Sequence, residues 1–143
     1  MSKTVLCAVD ISNKTQDTNV LEQAARLAEM DQAQLDVITV VPDYGMSIVS
    51  GYFDEQHHEK LVDGTRKALE ELVAGVLGKD KAASVRHIVA TGNAYEEILR
   101  TADADGAELI VIGAHKPNFR DFLLGPNAAR VVRHSNCSVY VVR

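Results

Sequence analysis

Cysteine is scarce in this chain, with two residues in 143, Cys7 and Cys137. Each lies inside an apolar, strand-like stretch, which reads as buried reduced thiols rather than a disulfide or a metal pair. Long apolar runs are missing too. Nothing approaches the ~20 residues of a membrane span, and the opening run at residues 5–9, stopped by Asp10, is too short for a secretory signal core. These absences predict a cytoplasmic protein with no membrane partner. Positive charge is also in short supply. Fifteen Lys and Arg stand against 20 Asp and Glu, a net charge of −5, which argues against a nucleic-acid partner. There is no Walker lysine–threonine pair and no Gly-x-Gly-x-x-Gly, so a fast ATPase and a dehydrogenase are disfavoured. No repeat, linker or low-complexity tract interrupts the chain, which predicts one domain over residues 1–143. That length buries a core without disulfides or metal, and 46% hydrophobic with 24% charged residues is ordinary for a globular protein.

What is present alternates. Residues 3–9 read as a buried strand ended by Asp10, and from Thr18 the positions Val20, Leu21, Ala24, Leu27 and Ala28 recur at helical spacing, with Asp17 or Thr18 as cap. "AQLDVITVV" is a second strand stopped by Pro42. A long loop then enters a helix striped by Leu61, Thr65, Ala68, Leu69, Leu72 and Val76, which Gly78 and "KDK" end. "SVRHIVA" is a third strand. Asn93 and Glu96 form a capping-box variant opening a helix whose Ile98, Leu99 and Ala102 face inward, followed by Gly106. "ELIVIG" is a continuously apolar strand. Pro126 suits the first turn of a last helix with an apolar face of Ala128, Ala129, Val131 and Val132, and "CSVYVV" is the final strand.

The order βαβαβαβαβ implies an α/β protein, a parallel sheet with helices on both faces. Ligands of such sheets bind at the carboxyl ends of strands, where the strand order reverses. Two strand ends are chemically distinctive, Asp10 after the first and Gly113 after the fourth. Charge singles out the same region. Residues 113–143 hold Lys116, Arg120, Arg130, Arg133 and Arg143 against one acid, Asp121, a net +4 that leaves −9 for the rest. A positive terminal segment on an acidic protein suits a small anion better than a polymer.

In these stretches the chain resembles the universal stress protein family. "VLCAVDIS" resembles its first strand and aspartate, "VITVVPD" its second strand, and "ELIVIGAHKPNFRDFLLGPNAARVVRHSNCSVYVV" its C-terminal signature, so the likeness covers the whole chain. The tail further resembles the short bacterial F/G-type subgroup. The resemblance implies a Rossmann-like, HUP-type fold, a single-domain open parallel sheet of five strands in the order 3-2-1-4-5. It also implies an ATP site, with a divalent ion such as Mg2+. Asp10 would meet the ribose or adenine side, and the backbone near Ala8 and Val40 the adenine. Gly113, Gly125 and Asn127 would line the phosphates, at the positive end of the helix starting near Pro126. ATP-binding members carry Gly-x-x-Gly, nine residues, then Gly followed by Ser or Thr. Here Lys116 stands in place of the second glycine, Gly125 follows Gly113 by twelve positions rather than thirteen, and Pro126 replaces the hydroxyl residue. Proline removes a backbone donor, while Lys116 can supply a point charge to a phosphate. The family also implies a homodimer through the C-terminal strand, residues 137–142, an edge whose backbone groups are otherwise unpaired.

Rival sites have plainer readings. His57 and His58 are adjacent on a helix and point about 100° apart, poorly placed to share an ion. His115 either touches phosphate or bonds the backbone. His134 reads as the end of the last helix, set against its negative pole. Ser12 has no identifiable histidine base, so a hydrolase triad has little support. Three classes remain, in this order: an ATP-binding stress-response or signalling module, a dimeric scaffold of the same fold without nucleotide, and a slow ATP-hydrolysing enzyme.

Overall fold

The computed structural model describes residues 3–11, 14–42, 54–114 and 124–143, with the side chains of 14–16, 54–57 and 124–126 outside that description. The elements are β1 (Thr4–Ala8), α1 (Lys14–Met30), β2 (Gln34–Val41), α2 (Asp54–Leu77), α3 (Lys79–Ala82), β3 (Arg86–Thr91), α4 (Ala94–Asp105), β4 (Leu109–Gly113), α5 (Leu124–His134) and β5 (Ser138–Val142). All strand pairs are parallel and the sheet runs β3-β2-β1-β4-β5. This is the α/β architecture expected, in the 3-2-1-4-5 order.

Strand side chains alternate between faces, so each strand feeds two cores. Val5, Cys7, Val37, Val111 and Val142 pack with Val20, Leu21 and Ala24 of α1 and Leu69 and Val73 of α2. Leu6, Ala8, Ile38, Ile110 and Ile112 pack with Ile98 and Ala102 of α4 and Ala128 and Val131 of α5. The central strands β1 and β4 are therefore covered on both sides, which is why their sequences are unbroken apolar runs rather than alternating ones.

The helix ends are settled by backbone geometry. Gly106 follows α4 at φ 64°, and Ala107 N–H reaches Ala102 O at 2.9 Å, a Schellman closure that a glycine accommodates without strain. Gln32 does the same after α1 at φ 53°, with Ala33 N–H to Ala28 O at 2.8 Å. No sequence signal marked that one.

Several expectations are corrected. Helix α1 starts at Lys14, so Asp17 is not its cap but an inward residue of the first turns. Asn93 does stand at the N-cap of α4, but its side chain makes no capping bond, and Glu96 accepts the Tyr95 hydroxyl at 3.2 Å instead of closing a box. Leu61 is 46% exposed and Val132 52% exposed, and Ala129 is also outward, because a helix on a flat sheet buries only a narrow stripe. On α5 that stripe is Ala128 and Val131. The third strand covers Arg86–Thr91 rather than beginning at Ser84, and the "KDK" stretch forms α3.

Candidate functional site

The sheet order reverses between β1 and β4, which are hydrogen-bonded neighbours. Ala8 is opposite Ile112, so Asp10 and Gly113 leave the sheet at the same edge on adjacent strands. β2 extends past that level: Ala8 pairs with Ile38, Val9 N–H reaches Ile38 O at 2.9 Å, and Val40 lies two residues further along. Ala8 and Val40 belong to the core shared with α4 and α5. Asp10 is half-buried, Gly113 buried, and Ala114 N–H closes on Val142 O at 2.8 Å. Ala8, Asp10, Val40 and Gly113 thus line the carboxyl ends of three consecutive strands.

The last helix begins at Leu124, so Gly125 and Pro126 fall in its first turn and half-buried Asn127 follows at once. Proline is tolerated there because the first-turn N–H groups have no intrahelical acceptor. The helix has no acid in its first turn and carries Arg133 and His134 in its last, which complements the helix dipole at the carboxyl end. His115 and Lys116 lie outside the described residues.

The site holds one residue that the sequence reading assigned only as a cap. Asp17 is 1% exposed, and its Oδ2 accepts the backbone N–H of Asp10. Burial pushes its carboxyl up to about 7, the Asp10 N–H pulls the other way, and the Asp10 charge adds to the rise. The signal was present. Asp17 lies in helical register with Val20, Leu21 and Ala24, so a carboxylate at this position faces the core. Cys7 stands nearby on β1, and burial followed by the Asp17 charge drives its thiol far up, which leaves it unreactive. Both cysteines are free thiols.

Two of the rival residues have structural partners, while Ser12 and the side chain of His57 lie outside the described residues. His58 Nε2 is 3.0 Å from Thr91 Oγ1 and ties α2 to the end of β3. His134 ends α5, its ring 6.3 Å from that of Tyr95, over which Arg130 stacks at 5.1 Å. Among the described residues no group of three or more His, Cys, Asp or Glu is placed to hold a metal ion, and no helix is long and apolar enough to cross a membrane.

A doubly wound parallel sheet whose strand order reverses between β1 and β4 defines a Rossmann-like α/β protein. Within that class the chain belongs to the universal stress protein family, whose model matches residues 1–143. It is 27% identical over 144 residues to universal stress protein G of Escherichia coli O157:H7, with 100% of both chains covered. It is 30% identical over 144 residues to universal stress protein A homolog 1 of Coxiella burnetii, covering 98% of this chain and 95% of the relative. Among solved structures, the Methanocaldococcus jannaschii protein MJ0577 superposes with a TM-score of 0.78 at 24% identity, covering 99% of this chain and 96% of that one. Two others were solved with nucleotides. An Archaeoglobus fulgidus universal stress protein in complex with dAMP has a TM-score of 0.64 at 18% identity, covering 99% and 98%. A universal stress protein in complex with cAMP has 0.65 at 19%, covering 99% and 96%. At these identities the structural likeness establishes the fold.

Proposed function

We propose that this chain is a single-domain nucleotide-binding module of the stress response, taking ATP in the crevice at the carboxyl edge of β1 and β4. The observation that carries the reading is the position of Asp10 and Gly113, side by side where the strand order reverses. Asp10 is the acceptor for ribose hydroxyls or the adenine side, and the backbone at Ala8 and Val40 meets the base. Gly113, Gly125 and Asn127 line the phosphates at the positive pole of α5, with His115 and Lys116 between β4 and α5 in the sequence. A divalent ion bound with the nucleotide would be carried chiefly by its phosphates, as Mg2+ commonly is. The dAMP and cAMP complexes of the two structural neighbours support a nucleotide as the class of ligand.

The module acts as a homodimer through β5. That strand ends the sheet, with Tyr140 and Val141 each 38% exposed. An apolar edge of this kind invites pairing with a second copy.

Calorimetric titration with Mg-ATP tests the ligand. Gly113→Val should abolish binding, because Gly113 is buried at the strand end and a branched side chain fills the space where the nucleotide approaches. Lys116→Ala should weaken binding about tenfold, since a charge-assisted bond contributes roughly 1.5–3 kcal/mol. Pro126→Ser should tighten it by restoring an N–H and a hydroxyl. Equal affinity in all four proteins would put the site elsewhere, and no binding by the native chain would favour a scaffold without nucleotide.

A further inference from the structure

We propose that Asp17 is a positioning residue of the crevice: it holds the Asp10 backbone, and ligand affinity follows whether its buried carboxyl carries a proton. The inference rests on the nucleotide reading of the site for its effect on affinity, but not for the hold on Asp10.

The geometry begins where β1 leaves the sheet. Val9 N–H is the last donor to β2, bonded to Ile38 O, and the last β1–β4 pair is Ala8 with Ile112. The next donor, Asp10 N–H, turns to Asp17 Oδ2 instead. The acceptor is not free to drift. α1 is anchored by Val20, Leu21 and Ala24, all fully buried, and Asp17 shares their face. The Asp17 side chain therefore takes part in setting the direction in which the strand exits and points its aspartate.

That acceptor titrates near neutrality, at about 7. Among the described residues, the Asp10 carboxyl and the Cys7 thiol bear on it, both from β1 and its exit. β2, β4 and β5 turn apolar Val37, Val111 and Val142 toward α1, and α2 turns Leu69 and Val73. Glu71 of α2 and Glu22 of α1 line an open groove between these two helices, with Thr18 at the same groove. When ionised, Asp17 grips the N–H more strongly but adds a second negative charge behind Asp10. An anionic ligand in the crevice favours the protonated form, so by linkage its binding draws in a proton near neutral pH.

The experiment uses the full chain and its Asp17→Asn variant, which keeps the shape and a carbonyl acceptor but does not titrate. Without ligand, the Asp10 amide and Asp17 carboxyl NMR signals are followed from about pH 5 to 9. Both should move with a common midpoint near 7, and the Asp10 amide of the variant should be flat. Mg-ATP is then titrated at pH 6 and pH 8. The native chain should lose about fivefold more affinity than the variant between the two, the ligand's own titration being common to both. An Asp10 amide that is flat in the native chain, or that titrates unchanged in Asp17→Asn, overturns the proposal. Should the variant not fold, the native amide titration alone decides. If ATP binds neither protein while the amide follows Asp17, the nucleotide reading falls and the role of Asp17 in affinity falls with it, leaving only its hold on Asp10. If ATP binds with equal pH dependence in both, the nucleotide reading stands and the proposal fails.

Discussion

Replacing Asp36 by asparagine should stabilise the protein at neutral pH and leave it almost unchanged near pH 4. Asp36 is buried on β2 opposite Arg86 of β3, with Asp105 closing over the pair from the end of α4. Arg86 Nη1 is 3.1 Å from Asp105 Oδ1 but 3.9 Å from Asp36 Oδ2, so one cation faces two acids and sits nearer the second. No N–H or hydroxyl donor reaches the buried Asp36 Oδ1 and Asp105 Oδ2, so a proton held between the two carboxyls is what bonds them. Burial, then the hydrogen bond and charge of Asp105, raise the Asp36 carboxyl well above its ordinary range, and Arg86 and Gln34 only partly oppose this. The native state therefore keeps a proton that the unfolded chain releases above about pH 4. Stability falls as pH rises wherever the native state binds more protons, by up to about 1.4 kcal/mol per pH unit for one proton. The loss runs from the ordinary aspartate value up to the raised native one. Access of water along the exposed Arg86 brings the expected effect to about 2 kcal/mol. Asparagine does not titrate, and its amide can donate to Asp105. Urea unfolding at pH 4, 6 and 8 should give an advantage of the variant that grows with pH at constant m-value. An advantage independent of pH, or one that shrinks as pH rises, would refute the shared-proton account.

Other outcomes follow from burial. Leu69→Ala, deep between α2 and the sheet, should cost about 2–5 kcal/mol by urea unfolding, whereas Val132→Ser should stay within about 0.5 kcal/mol because the side chain is outward. Val141→Glu on the edge strand should shift dimer to monomer in sedimentation at micromolar concentration, and a native chain that is already monomeric there would reject the β5 interface. A thiol reagent should label Cys137, which is half-buried, and spare Cys7 until the protein unfolds, since the Cys7 thiol is buried and pushed up. Equal labelling rates would contradict that.

Much of the fold was legible in the chain because two periods carry it. Unbroken apolar runs such as "ELIVIG" mark strands covered on both faces, and helical spacing marks the segments that cover them. The alternation of the two implies parallel strands, and the resemblance of "VLCAVDIS" and the C-terminal signature implied their order. Strand ends made Asp10 and Gly113 candidates. What periodicity does not carry is which flank of an apolar stripe meets the sheet. Ala129 and Val132 read as inward, yet the rotation of α5 on β4 and β5 buries Ala128 and Val131. Caps escaped for a related reason: whether Asn93 bonds its helix depends on a side-chain rotamer, and Gln32 adopts a glycine-like φ because the turn into β2 requires it. Charge was the least legible property of all. Asp17 and Asp36 are ordinary polar letters in a string, and their raised protonation appears only when other segments remove water and bring Asp10 or Asp105 against them. Local sequence determines which segments are strands and helices. Desolvation and the meeting of distant charges belong to the tertiary structure alone, because both depend on what lies across space rather than along the chain.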